Sequence, residues 1–348
     1  MIKIADREVG RHTRPYLIAE MSGNHNQSLD RALEIVDAAA ASGADAVKLQ
    51  TYTADTMTLD VRAPGFMIED PTSIWAGRQL YELYDEAHTP WDWHAPIIER
   101  AASHGMHCFS TPFDDTAVDF LEDLGVPAYK IASFEVTDLP LVRKVAATGK
   151  PMIVSTGMAT IAEIDEAVRT AKDAGNEQLI ILKCTSTYPA TPQNTNISTI
   201  TNMREAFGVE VGLSDHTMGC GVAVAAVGLG AVLVEKHFTL RRADGGVDST
   251  FSLEPQEFQM LRDETERAWQ ALGRVTYGGT QAEEKSRAFR RSLYIAQDMA
   301  AGEELTPETM RIIRPGFGLP PKFYDQMLGK RVKHAVTAGT PVDWDVVA

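Results

Sequence analysis

A chain of 348 residues, 44% of them hydrophobic, carries enough apolar side chain for a sizeable core and lacks the composition of a disordered segment. Its formal net charge of −15, with no long basic run, excludes a nucleic acid backbone as partner, although a few Lys and Arg gathered in one pocket still suit a small anion. Three scattered cysteines, Cys108, Cys184 and Cys220, exclude a disulfide framework or a Cys-rich zinc site and fit a reducing cytoplasm.

The first ten residues carry charges where a secretory signal would need an apolar core. Short apolar runs then alternate with amphipathic stretches, the pattern of βαβ units on a parallel sheet. The predicted strands are Tyr16 to Glu20, Asp45 to Gln50, Met106 to Ser110, Ala128 to Ile131, Met152 to Ser155, Leu179 to Lys183, Val209 to Leu213 and Val232 to Lys236. Helices are expected between them, among them Ser28 to Ala41, Trp91 to Ser103, Ile161 to Ala174 and Pro255 to Ala271. Eight such units predict an α/β fold of the (β/α)8 TIM-barrel type. The stretch from Thr51 to Ala87 has little periodicity and reads as a loop at the barrel mouth. The longest apolar run, Cys220 to Val234, is too short for a membrane span of about 20 residues. Gly228 and Gly230 break it into a helix, a turn and a buried strand. The barrel is expected over residues 1–272 and a linker over 273–284. A small second domain over 285–348 follows, punctuated by Gly302, Pro315-Gly316 and Gly329.

Barrel enzymes build their sites at the carboxyl ends of the strands, and nearly every predicted end here carries a polar group. These are Glu20, Lys48 with Gln50, Ser110 with Thr111, Lys130 with Ser133 and Glu135, Ser155 with Thr156, Lys183 with Thr185 and Ser186, Asp215 with His216, and Glu235 with His237. Three lysines, Lys48, Lys130 and Lys183, are expected to converge on one mouth. Uncompensated, they would repel one another, and a ligand bearing both phosphate and carboxylate would relieve that, with Ser133, Ser155, Thr185 and Ser186 donating hydrogen bonds. The alternative is that some of them pair with Glu20, Glu135 or Glu235 and serve only structure. His216 and His237 end consecutive strands, so two imidazoles can reach one ion. With carboxylate or water ligands they suit Mn²⁺, with Mg²⁺ or Co²⁺ as alternatives.

The segments Ile18-Ala19-Glu20, Asn24-His25-Asn26, Val47-Lys48-Leu49-Gln50, Phe109-Ser110-Thr111-Pro112-Phe113, Tyr188-Pro189, Gly212-Leu213-Ser214-Asp215-His216 and Glu235-Lys236-His237-Phe238-Thr239 together resemble the sialic acid synthase family. The last domain, with Arg314-Pro315-Gly316 and Gly329-Lys330, resembles that family's antifreeze-like (SAF-type) domain. Segments 50–53, 183–190 and 242–249 are more similar to the family's pseudaminic acid branch than to its N-acetylneuraminate branch. The resemblance implies phosphoenolpyruvate and an aminosugar aldehyde of 2,4-diacetamido-2,4,6-trideoxy-L-altrose type as substrates. It implies that Lys48, Lys130, Ser133, Ser155, Lys183, Ser186 and Ser214 hold phosphoenolpyruvate and that His216 and His237 hold the metal. It further implies that Gln50, Tyr188, Asp248, Phe289 and Arg314 meet the sugar, Arg314 from the partner in a domain-swapped homodimer. Glu20 or Glu135 would be the general base.

The rival readings are the same chemistry on N-acetylmannosamine or a legionaminic acid precursor, a metal-dependent barrel aldolase or hydrolase, and a non-catalytic sugar-binding protein. Flagellin and surface polysaccharide both stay open as destinations of the product.

Overall fold

The computed structural model describes residues 2–71 and 73–348, and the chain divides into two compact units, Met1–Gly273 and Arg274–Ala348. An antiparallel hairpin, β1 (Ile2–Ile4) and β2 (Arg7–Val9), opens the first unit; its short strands were not expected from the sequence. Ile2, Ile4 and Val9 join the barrel's hydrophobic core. The Arg7 guanidinium donates to the carbonyls of Arg14 and Pro15 and pairs with Asp45, so the hairpin is fastened where the first barrel strands begin.

Eight parallel strands then close on themselves: β3 (Tyr16–Glu20), β4 (Ala46–Thr51), β5 (His107–Pro112), β6 (Tyr129–Ile131), β7 (Met152–Ser155), β8 (Leu179–Cys184), β9 (Glu210–Ser214) and β10 (Leu233–His237), with β10 pairing back onto β3. Each expected strand is present, shifted by at most one or two residues. On β4 the shift has a visible cause, because the Asp45 carboxylate is occupied by Arg14 and by the Leu17 amide. The strands are buried on both faces, as a parallel sheet wrapped in helices requires.

The outer helices form for local reasons as well. Ser28 caps Leu29–Ala41 by accepting from the Arg31 amide, and Thr160 with Glu163 makes a reciprocal capping box on Ile161–Asp173. The latter helix buries Ile164, Ala167, Val168 and Ala171, a spacing that keeps one face on the barrel. Between β4 and the helix His94–Ser103, where a loop was expected, the chain forms a short helix, Ala54–Met57, and a longer one, Leu80–Ala87. The second is held by its amphipathic face on Leu83, too brief a pattern to stand out in the sequence.

The second unit has its own small core, centred on Leu293, Ile295, Met310 and Val332, around the antiparallel pair β11 (Ser292–Ile295) and β12 (Met310–Ile313). Gly318 packs against the Leu293 carbonyl so closely that a Cβ would collide with it. Among the described residues no helix is long and apolar enough to cross a membrane.

Candidate active site

Alternation along each strand decides which strand-end groups enter the barrel. Glu20 and Lys48 lie opposite each other in register, and the Lys48 ammonium sits 2.6 Å from Glu20 and 4.0 Å from Glu235. It also donates to Thr111 Oγ1 at 3.1 Å. Across the barrel Lys130 donates to Ser155 Oγ at 2.7 Å and lies 3.8 Å from the other oxygen of Glu235, which Ser214 Oγ reaches at 3.2 Å. Gln50 Nε2 donates to Glu20 Oε1 at 2.9 Å. Lys48, Lys130, Glu20, Glu235, Ser155 and Ser214 are all buried, so one connected polar network fills the carboxyl end of the barrel.

Two lysines therefore share buried carboxylates, and the repulsion expected between them is offset within the protein itself. Burial opposes every charge in this group. Lys130 is consequently held below the usual lysine range, with Glu235 partly restoring it. For Lys48 the carboxylates of Glu20 and Glu235 outweigh burial and raise its affinity for the proton. Glu20 is pushed up by burial and by its neighbour Glu235 against the pull of Lys48.

Lys183 does not join them. Its ammonium donates to the Cys184 carbonyl at 2.8 Å and to Thr185 Oγ1 at 3.4 Å. The neighbouring residue Cys184 holds the inward position on β8, with its thiol 3.7 Å from Ser186 Oγ. The expected convergence of three lysines is thus corrected to two, because a strand that turns Cys184 inward turns Lys183 outward. The same parity turns Asp215 away, to a buried pair with Lys236 at 3.0 Å.

Beside the network lies a pocket of hydroxyls. Ser133 Oγ accepts from the Gly157 amide at 3.1 Å, and a Cβ at Gly157 would run into Ser186 Oγ and come within 2.8 Å of Ser133 Oγ. Only glycine lets both hydroxyls come this close. Glu135, on the same turn (Ser133–Glu135), is pushed up to about 7 by burial, with Lys130 pulling the other way. One of its oxygens, Oε2, is buried without a hydrogen-bond partner.

The imidazoles of His216 and His237 stand 5.3 Å apart between ring centroids, flanked by Tyr188 at 4.4 Å from His216 and by Phe251 at 4.9 Å from His237. His216 Nδ1 faces the Thr185 carbonyl at 2.9 Å, so a proton sits there; burial works against a second proton, but the hydrogen bond between His216 and Cys184 outweighs it and raises the imidazole above its ordinary range. His237 is held neutral by burial and by the surrounding cations; its Nδ1, buried without a hydrogen-bond partner, is 3.7 Å from the Asp248 carboxylate. Asp248 in turn accepts from Ser22 Oγ. Two adjacent imidazoles suit a divalent cation in their neutral form, the state His237 already holds and which His216 would take on giving up its proton to make way for the ion. No group of three or more His, Cys, Asp or Glu among the described residues is arranged to hold one, so oxygen ligands from water or substrate would complete its shell.

Thr185 contributes mainly its carbonyl to His216. Phe289 and Arg314 lie on the second unit, both exposed there. Thr111, Cys184, Gly157 and Glu235 belong to the site without having been assigned a substrate contact from the sequence; Thr111 and Glu235 carried a signal as strand-end polar residues, Cys184 and Gly157 none.

A closed parallel barrel whose carboxyl end gathers ammonium groups, hydroxyls and paired imidazoles is a barrel enzyme built around an anionic substrate. The chain belongs to the NeuB family, which matches residues 35–277, and residues 290–348 match the SAF domain. It is 44% identical over 324 residues to the pseudaminic acid synthase of Campylobacter jejuni, covering 93% of this chain and 94% of the relative. To the pseudaminic acid synthase of Helicobacter pylori it is 41% identical over 95% of this chain and 97% of the relative. Among solved structures, the N-acetylneuraminic acid synthetase of Leptospira borgpetersenii superposes with a TM-score of 0.73 at 30% identity, over 82% of this chain and 94% of that one.

Proposed function

We propose that this chain condenses phosphoenolpyruvate with 2,4-diacetamido-2,4,6-trideoxy-L-altrose and water to give pseudaminic acid and phosphate. The observation that carries the reaction class is the buried network of Lys48 and Lys130 with its hydroxyl partners, lying in one barrel mouth with the His216 and His237 pair. The choice of acceptor rests on the greater identity to two pseudaminic acid synthases, 44% and 41%, than to the N-acetylneuraminic acid synthetase, 30%.

Phosphoenolpyruvate seats its anionic groups on Lys48 and Lys130, with Ser133, Ser155, Ser186 and Ser214 donating to phosphate and carboxylate oxygens. Gly157, having no Cβ, lets the Ser133 and Ser186 hydroxyls come together there. Gln50, Tyr188 and Asp248 face the sugar. His216 and His237 would hold a divalent ion, Mn²⁺ or in its place Mg²⁺ or Co²⁺, which when bound supplies Lewis-acid polarisation of the aldehyde oxygen. Carbon 3 of the enol bonds to the aldehyde carbon, water adds to carbon 2, and phosphate leaves by breaking the bond between carbon 2 and oxygen. Glu135 accepts the proton of that water. Glu20 is the weaker candidate, since Gln50 and Lys48 already occupy both of its oxygens. Holding both substrates in line supplies several kcal/mol of the rate enhancement.

A second copy of the chain would bring Arg314 and Phe289 to the sugar in a domain-swapped dimer. In favour of such a partner, Val275, Tyr277, Phe289 and Phe317 are 89%, 92%, 65% and 70% exposed, an excess of large apolar side chains in water for one small unit. The test is mass spectrometry of the product formed by purified protein from phosphoenolpyruvate and a panel of aminosugar aldehydes. Pseudaminic acid with release of phosphate supports the reading. Turnover only of N-acetylmannosamine or the legionaminic acid precursor moves the acceptor assignment, and phosphate release from none of the panel removes the function.

A further inference from the structure

Trp75 sits on the segment between β4 and Leu80–Ala87. Residues 66–68 and 77–80 pair across it, through Ile68 N to Arg78 O at 2.9 Å, Gly77 N to Ile68 O at 2.8 Å and Leu80 N to Phe66 O at 3.0 Å. Gly77 has φ +79, the left-handed conformation that lets the chain turn back there. Buried Gln79 anchors the base of this pair by donating to Asp60 at 2.9 Å. The half-buried indole it carries is fastened at its far side: Nε1 donates to the Val247 carbonyl at 3.1 Å. Val247 precedes Asp248, the carboxylate beside His237. The indole also packs against Tyr188 at 5.8 Å between centroids, and Tyr188 packs on His216 at 4.4 Å.

Aromatic rings thus step outward from the imidazole pair to Trp75. An acceptor whose aldehyde carbon lies at His216 and His237 extends its other end along that row, and an open-chain hexose is long enough to reach the indole. The indole offers that end only an apolar face, because its single donor is already taken by Val247. A terminal methyl loses nothing against such a face. A terminal hydroxymethyl gives up its water without a replacement hydrogen bond. We infer that Trp75 is a specificity-determining residue, an apolar cover that favours acceptors ending in a deoxy carbon over those ending in a hydroxylated one. This rests on the proposed function, since it presumes an aminosugar aldehyde at the imidazole pair.

The experiment compares kcat/KM of wild type, Trp75→Phe and Trp75→Ala for the 2,4-diacetamido-2,4,6-trideoxy acceptor and for the same sugar bearing a hydroxyl at carbon 6. Wild type should prefer the deoxy acceptor by about ten-fold or more, as differences of this size in a pocket allow. Trp75→Ala should erase most of that preference while leaving KM for phosphoenolpyruvate unchanged, and Trp75→Phe should keep part of it. A second measurement needs no turnover: the reduced, unreactive alditol of the deoxy acceptor should change the tryptophan fluorescence of wild type, and Trp75→Phe should lose that change. The inference is overturned if Trp75→Ala lowers both acceptors in equal proportion, if it shifts KM for phosphoenolpyruvate as much as for the sugar, or if the alditol signal persists in Trp75→Phe. Wild type inactive on both acceptors would overturn the functional reading instead, a different result from a wild type that turns over with an unaltered ratio in the variants.

Discussion

Replacing Glu135 by Gln should make the protein more stable at alkaline pH and nearly inactive. The carboxyl is held at about 7 instead of its ordinary 4.5, so the native state keeps a proton that the unfolded chain has already lost. Between those two values the folded form binds more protons, and stability therefore falls as pH rises through that window. Above it the ionised group costs the fold about 3 kcal/mol at most, and about 1–3 kcal/mol once its partial exposure is allowed for. The amide is a neutral stand-in for the protonated acid. Urea unfolding followed by circular dichroism should show little difference between wild type and Glu135→Gln at pH 4.5. A gain of about 1–3 kcal/mol at pH 8 should appear as a rise of a few degrees in Tm. As a general base, Glu135 must lose its proton to work. In wild type kcat/KM for phosphate release should therefore rise with pH through about 7, and the variant should lose about 10²- to 10⁴-fold and that rising limb together. Equal stability effects at the two pH values would refute the reasoning about burial, and a retained pH limb in the variant would refute the assignment of the base.

Gly157→Ala should raise KM for phosphoenolpyruvate by about ten-fold or more, because the new methyl would displace the Ser186 and Ser133 hydroxyls it meets; an unchanged KM would show that phosphoenolpyruvate does not depend on the placing of those hydroxyls. Chelation should abolish phosphate release and added Mn²⁺ should restore it, with a Mn²⁺-dependent rise in Tm that His237→Ala lacks. Full turnover by the chelated protein would rule out the metal's role. Arg314→Ala should raise KM for the acceptor more than for phosphoenolpyruvate, and equal losses on both would count against its place at the sugar.

The sequence by itself determined the number, order and type of the barrel elements, because hydrophobic period and helix caps are local properties. Ser28, Ile161 and Pro255 mark helix starts that the structure uses, and Lys48, Lys130, His216 and His237 could be placed at strand ends from their positions alone. What those side chains face was decided by tertiary structure. Closing the barrel fixes which alternate residue of each strand points inward, and that one choice brings Cys184 into the site and leaves Lys183 bonded to its own turn. It also joins Lys130 on β6 to Glu235 on β10, a pairing separated by more than a hundred residues that no local pattern encodes. Gly157 and Trp75 were silent in the sequence for the same reason: one matters for the Ser133 and Ser186 hydroxyls packed against it, the other for a carbonyl at Val247 and a ring at Tyr188, and such distances exist only once the chain has closed on itself.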